Sequence, residues 1–97
     1  MVSVRWNLAA FKKFEKAIKY IKEDSSLNAE NVRIEINSEI DSIAIYPQKY
    51  PVDKYKKKND GNYRAFEIYH YRIAYKITNA QIIILRFRST HQEPKSY

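Results

Sequence analysis

The chain contains no cysteine, one glycine and three prolines among its 97 residues. Without cysteine it can form neither a disulfide nor a thiolate metal site, so its fold does not depend on an oxidising compartment. Its two histidines are not spaced like metal ligands, and we therefore expect no zinc site and no cofactor. Because glycine and proline are scarce, no low-complexity linker divides the chain, and residues 1–97 are predicted to form one domain.

Long apolar runs are also missing. The longest, Ile82 to Leu85, is far shorter than the roughly 20 residues that a membrane-spanning helix needs. The first residues, Met1 to Trp6, lack the apolar core of a signal peptide. The sequence therefore predicts a cytoplasmic protein without a membrane partner.

Acidic residues are scarce in the second half of the chain. Residues 1–48 carry seven Lys/Arg and seven Asp/Glu, whereas residues 49–97 carry eleven Lys/Arg, four Asp/Glu and seven of the nine tyrosines. A net charge of +7 confined to one half predicts a surface that meets a polyanion or an acidic partner, although a solvated basic surface is an open alternative. RNA and single-stranded substrates stack on aromatic rings interleaved with Arg and Lys.

The first half of the chain has the pattern of one short strand and two amphipathic helices. Residues 2–6 alternate between apolar and polar side chains, as in a half-buried strand. Asn7 is a suitable N-cap for the first helix, which should end near residues 24–26, and Asn28 is the next N-cap candidate. The apolar stripe of the first helix comprises Leu8, Phe11, Phe14, Ile18 and Ile21, and that of the second comprises Val32, Ile36, Ile40 and Ile43.

The second half begins with a polar stretch, residues 46–61, that contains two prolines, Asp60-Gly61 and a run of lysines. Three strands are predicted to follow, over Tyr63–Ile68, Tyr71–Ile77 and Ile82–Phe87. The last is apolar on both faces, as expected of a central strand. The order β-α-α-β-β-β predicts an α+β fold in which an N-terminal strand and an antiparallel helical hairpin accompany a mostly antiparallel sheet.

Three segments carry a resemblance to a known family. The helical hairpin ends in an apolar-then-proline signature, IDSIAIYP, at residues 40–47. The strand at residues 71–77, YRIAYKI, contains a Tyr-Arg-apolar-x-Tyr element, and the last strand runs into RFRSTH at residues 86–91, with Tyr97 beyond it. In order and spacing, nearly the whole chain resembles the RelE/ParE superfamily of toxins from bacterial type II toxin–antitoxin systems. The resemblance implies a RelE/ParE-like fold and a cognate antitoxin with an acidic or amphipathic segment.

The resemblance also implies roles for basic residues of the second half. Arg72 matches a phosphate-stabilising arginine of RelE-like enzymes, and His91 matches a position where an acid or base can act. Tyr97 lies near where a tyrosine of those enzymes positions a base. Arg64 lies where they carry lysines, which favours a ParE-like chain because arginine is a poor general base. The candidate catalytic residues are Arg64, Arg72, Arg88, His91 and Tyr97, and the candidate nucleic-acid-binding residues are Lys54, Lys56, Lys57, Lys58 and Arg86.

We expect one sheet surface to hold Arg64, Arg72, Arg86 and Arg88, with His91 beyond them. For each residue an ordinary surface role is the alternative, and a frayed end of the chain is the alternative for Tyr97. The superfamily contains mRNA-cleaving and gyrase-poisoning members, so the fold alone does not determine the activity. The sequence favours ribosome-dependent, metal-free mRNA cleavage. The alternatives are inhibition of DNA gyrase without nuclease activity and a non-catalytic nucleic-acid-binding module.

Overall fold

The computed structural model describes residues 2–97. In chain order the elements are β1 (Ser3–Trp6), α1 (Leu8–Asp24), α2 (Ser26–Ile45), β2 (Tyr63–Ile68), β3 (Tyr71–Ile77) and β4 (Gln81–Ser89). The strands form one sheet in the order β1-β4-β3-β2. β1 is parallel to β4, and the other two pairings are antiparallel. The predicted α+β fold, with its helical hairpin on a mostly antiparallel sheet, is confirmed.

The start of α1 is fixed by Asn7, whose side-chain Oδ1 accepts hydrogen bonds from the backbone N–H groups of Ala9 (2.9 Å) and Ala10 (3.3 Å). This confirms the predicted N-cap. The predicted stripe is wrong at its first two positions, because Leu8 is 66% exposed and Phe11 is 39% exposed while Ala10 is buried. The buried residues Ala10, Phe14 and Ile18 are spaced four apart, so the core-facing side of α1 begins at Ala10.

The two helices are joined through Ser25 alone. Its N–H donates to the Ile21 carbonyl and ends α1, while its Oγ accepts from the Asn28 N–H at 3.1 Å and begins α2. The prediction of Asn28 as the N-cap is wrong, since the chain turns three residues earlier. A one-residue joint lets the helices lie antiparallel with a very short connection.

The core lies between the helical hairpin and one face of the sheet. The predicted stripe of α2 is confirmed in full, because all four of its isoleucine and valine positions are buried. From the sheet, Ile73, Ile82 and Ile84 are completely buried opposite the helices. Burying a side chain of this size contributes about 1.5–3 kcal/mol.

The pairing of β3 with β4 contains a β-bulge at Leu85. Ala74 pairs with Arg86 and Tyr75 pairs with Ile84, so Leu85 has no partner in β3. In a regular strand, Arg86 would share the helix-facing side with Ile84 two residues earlier. The extra residue moves Arg86 to the opposite side of the sheet.

The segment between α2 and β2 lies along the outer edge of β2. The Asp53 N–H donates to the Tyr63 carbonyl at 2.8 Å. The Asn59 side chain donates to the same carbonyl at 2.8 Å and accepts from the Gly61 N–H at 2.8 Å. Gly61 has a φ of 95°, which a glycine adopts without strain. This segment covers an otherwise unpaired edge and brings Asp53 to the sheet face opposite the helices.

Within residues 2–97, none of the helices combines the length and the apolar character that crossing a lipid bilayer requires.

Candidate functional site

Three arginines lie together on the sheet face opposite the helices. Arg72 of β3 pairs directly with Arg88 of β4, and Arg86 lies opposite Ala74, two residues along the same face. We call Arg72, Arg86 and Arg88 the arginine face. Its position agrees with the sequence-based expectation that these three residues share one surface. Three guanidinium groups on adjacent strands repel one another unless acceptors lie between them.

The strongest acceptor at the arginine face is Asp53, which lies on the segment along the edge of β2. Among residues 2–97 it is the only charged residue in the buried class, at 2% exposure. Its Oδ1 accepts from Arg72 Nη2 at 2.8 Å and from the Tyr55 backbone N–H at 3.1 Å. Arg72 Nη1 also donates to Glu67 Oε2 at 2.9 Å, so this guanidinium bridges two carboxylates.

The second oxygen of Asp53 binds Tyr97. The Tyr97 hydroxyl donates to Oδ2 at 2.7 Å, so both oxygens of the buried carboxylate have partners. Burial raises the pKa of Asp53, but hydrogen bonds from Arg72, Tyr97 and the Tyr55 backbone outweigh it and leave the pKa below its ordinary value. Burial and the bond to Asp53 raise the pKa of Tyr97 well above its ordinary value.

The two carboxylates in turn change the pKa of Arg72. Burial lowers the pKa of Arg72, but the hydrogen bonds and charges of Asp53 and Glu67 raise it above its ordinary value. The guanidinium therefore stays charged and fixed between its two partners.

Residues 93–97 cross the arginine face as an extended segment, which we call the strap. Arg88 Nη2 donates to the Glu93 carbonyl at 3.0 Å, and Arg86 Nη1 donates to the Lys95 carbonyl at 2.8 Å. The Arg86 guanidinium also lies 4.3 Å from the centre of the Tyr97 ring, within range of a cation–π contact. The strap therefore contacts Arg86 and Arg88 directly and Arg72 through Asp53.

The main chain of Tyr97 is held as firmly as its side chain. Its N–H donates to the Tyr55 carbonyl at 2.9 Å, and its main-chain oxygen accepts from the Lys57 N–H at 2.6 Å. The alternative of a frayed end at Tyr97 is therefore wrong. A cavity of about 200 Å³ remains beside the strap, lined by side chains that include Glu67, Arg72, Arg86 and Arg88.

Arg64 does not belong to the arginine face, and the prediction that it shares this surface is wrong. It pairs with Tyr75, a core residue, and so lies on the helix-facing side of the sheet. Its guanidinium donates to the carbonyls of Tyr50 at 2.7 Å and Gly61 at 3.2 Å. The neighbouring Tyr75 hydroxyl donates to the Pro47 carbonyl at 2.7 Å, and burial raises its pKa to about 12. Arg64 thus anchors the segment that follows α2.

His91 lies at the end of the sheet rather than among the arginines. Its ring is 5.1 Å from that of His70, which occupies the two-residue turn between β2 and β3. Both turn residues have positive φ, 53° at Tyr69 and 67° at His70, as a type I′ hairpin turn requires. His91 does not line the cavity of the arginine face.

The predicted nucleic-acid-binding lysines fall into two groups. Lys56 is half-buried, and its Nζ lies 4.7 Å from the Tyr63 ring centre and 5.5 Å from that of Tyr97. It therefore supports the strap. Lys54, Lys57 and Lys58 are exposed on the segment before β2. Their side chains form a solvated basic rim next to the arginine face.

Sequence reasoning missed Asp53, Glu67 and the strap. A signal for Asp53 was present, since it is the one acidic residue among the five lysines of residues 49–58. A lone carboxylate in a basic segment is a candidate ion-pair partner, but only the fold shows that its partner is Arg72. The strap has no periodicity that would predict where it lies.

The arrangement can bind anions. Arg86 and Arg88 have only neutral carbonyl acceptors from the strap, and a carboxylate or phosphate is a stronger partner for a guanidinium than a carbonyl is. Residues 2–97 contain no group of three or more side chains placed to hold a metal ion.

The fold is that of the RelE/ParE toxin class. The family model described as the ParE toxin of the type II toxin–antitoxin system parDE matches residues 4–94. The chain therefore belongs to the ParE toxin family and is the toxin component of a type II toxin–antitoxin pair, with a cognate antitoxin as its partner. No curated protein matches its sequence.

Proposed function

We propose that this toxin arrests growth by inhibiting DNA gyrase through binding, and that the arginine face makes the decisive contact. The observation that supports binding over RNA cleavage is the state of Arg72. A nuclease without a metal needs a cation free to stabilise the phosphate in the transition state. Arg72 is instead held between Asp53 and Glu67, at 2.8 Å and 2.9 Å.

The other residues that a cleavage site would need are dispersed. Arg64 lies on the opposite side of the sheet, His91 lies at the hairpin end, and the Tyr97 hydroxyl is bonded to Asp53. General acid–base catalysis requires such groups within hydrogen-bonding distance of one substrate. Family membership supports the same proposal, since gyrase poisoning is the ParE-like activity of the superfamily.

A supercoiling assay tests the proposal directly. Purified toxin is added to DNA gyrase and relaxed plasmid, and we expect inhibition that depends on toxin concentration. The variant Arg86→Gln should weaken inhibition at least tenfold, because it removes a half-exposed cation from the arginine face. The matched control is Lys12→Gln, which removes one charge from the exposed surface of α1.

Ribosome-dependent mRNA cleavage is the second candidate. It is favoured by the stacking of Arg86 over the Tyr97 ring, which combines a cation and an aromatic ring as RNA recognition requires. Primer extension on cellular mRNA after induction separates the two candidates. Cuts at ribosomal A-site codons with unchanged supercoiling would contradict the gyrase proposal and support cleavage.

A further inference from the structure

We propose that the strap is a removable cover of the arginine face and that Asp53 is its latch. The strap and an anionic ligand then compete for Arg86 and Arg88. This inference deepens the proposed function, because it concerns access to the surface that we assign to the target. It rests on the contacts of the strap itself.

The strap has few apolar contacts to hold it. Residues 93–96 are exposed, and the carbonyls of Glu93 and Lys95 bond them to the sheet through Arg88 and Arg86. Only Tyr97 is inserted, with its hydroxyl on Asp53 and its ring between Arg86 and Lys56. An extended segment fixed at one residue can open locally while the rest of the fold stays intact.

Asp53 is suited to be the latch because it does not depend on the strap for its position. Its main-chain N–H bonds to β2, and its Oδ1 is held by Arg72 and the Tyr55 N–H. Opening the strap breaks the main-chain bonds of Tyr97 to residues 55 and 57 and the two arginine–carbonyl bonds. At Asp53 it breaks only the bond between the Tyr97 hydroxyl and Oδ2, so the carboxylate stays partly satisfied. The arginine face would then present Arg86 and Arg88 without their carbonyl partners.

The variant Tyr97→Phe tests the latch with little disturbance, since it keeps the ring and removes only the hydroxyl. Loss of a hydrogen bond to a charged group should raise the open fraction of the strap by about ten- to a hundredfold. Hydrogen exchange measured by NMR reports this opening. The amides of Tyr97 and Lys57, which bond across the strap, should lose protection by that factor, while the core amide of Ile73 should not change.

Phosphate binding provides the second measurement. Inorganic phosphate is titrated into the full chain, and binding is followed at the side-chain N–H signals of Arg86 and Arg88. If only the open state binds, the apparent affinity rises in proportion to the open fraction. Tyr97→Phe should therefore bind phosphate more tightly by the same factor by which its strap amides lose protection. Tyr46→Phe, at a residue 68% exposed and remote from the strap, should change neither measurement.

Unchanged protection in Tyr97→Phe would show that Asp53 is not a latch. Lost protection with unchanged phosphate affinity would show that the strap does not compete for the arginine face. Neither measurement involves gyrase. If phosphate binds Tyr97→Phe more tightly but inhibition of supercoiling is unaltered, the proposed target contact fails and the cover stands.

Discussion

At the scale of single residues, Arg72 holds two carboxylates that differ in exposure. The Asp53 side chain is 1% exposed and that of Glu67 is 55% exposed. A buried ion pair that loses one partner leaves an uncompensated charge, whereas an exposed pair contributes little. Because both carboxylates bind the same guanidinium, replacing each in turn shows how much burial changes the contribution of an ion pair to stability.

We predict that Asp53→Asn lowers the free energy of unfolding by about 2–3 kcal/mol, because the Arg72 charge loses its buried partner. Glu67→Gln is the matched control and should cost at most about 0.5 kcal/mol. Urea denaturation of both variants measures the difference. Equal losses in the two variants would contradict the assignment of Asp53 as the principal partner of Arg72.

The lowered pKa of Asp53 predicts a dependence of stability on pH. A carboxylate whose pKa is lower in the folded than in the unfolded state stabilises the fold fully above its ordinary pKa of 3.8. This stabilisation is lost as the pH falls below that value toward the lower folded-state pKa. Urea midpoints measured between pH 7 and pH 2.5 should therefore fall less steeply at the acid end in Asp53→Asn than in the native chain. The same acid slope in both proteins would rule out this contribution.

At the scale of elements, the joint at Ser25 shows what a helical pattern cannot specify. The apolar stripes of α1 and α2 predict both helices, but a stripe is equally compatible with a turn at residue 25 or at residue 28. The turn lies at Ser25 because its N–H and Oγ together satisfy the end of one helix and the start of the next.

Two alanine variants test this joint. Ser25→Ala should lower the free energy of unfolding by about 1 kcal/mol through loss of the N-cap bond to Asn28 N–H. Asn28→Ala should cost less than about 0.5 kcal/mol. The group of Asn28 that bonds to Ser25 is its backbone N–H, which alanine also has, and its exposed side chain does not form the cap. Thermal unfolding of both variants distinguishes them. A larger loss of stability in Asn28→Ala than in Ser25→Ala would show that Asn28 is the N-cap of α2, as the sequence predicted.

The bulge at Leu85 makes a sharper prediction for β4. Deleting Leu85 leaves a regular strand in which Ile84 still faces the core and Arg86 still faces away, so the protein should fold with a loss of about 1–3 kcal/mol. Deleting Ala74 from β3 instead places Ile73 and Tyr75, both completely buried, on opposite faces of the sheet and should prevent folding. Circular dichroism of the two deletion variants tests this. A folded protein without Ala74 would show that the register of β3 and β4 is not fixed by their inward side chains.

At the scale of the whole molecule, the basic residues of the second half of the chain are divided between the two faces of the sheet. The predicted basic surface exists, but only Arg72, Arg86 and Arg88 share it, and Arg64 lies on the other side. Strand alternation predicts the face of Arg72, whereas the face of Arg64 depends on a register that the composition does not show. The contact between Asp53 and Tyr97 joins residues 44 apart, which local patterns do not predict.

The distribution of charge, rather than its amount, should determine toxicity. The double variants Arg86→Gln/Arg88→Gln and Lys12→Gln/Lys13→Gln remove the same two charges from the net +7. We predict that only the first restores growth on induction, because it alone changes the arginine face. Growth curves at equal expression measure this. Equal rescue by the lysine pair would show that nonspecific attraction to polyanions, and not a defined surface, causes the arrest.

The topology of the sheet also determines when the sheet can be completed during synthesis of the chain. β1 is the first strand made, yet it pairs with residues 81–84 of β4 and has no other strand beside it. β4, which lies between β1 and β3, is thus the last of these four strands to leave the ribosome, and neither β1 nor β3 can complete its pairing before then. A sheet whose first and last strands are neighbours forms late, because their pairing must close nearly the whole chain. Until β4 emerges, a nascent chain therefore carries no completed arginine face, because Arg86 and Arg88 both lie on that strand.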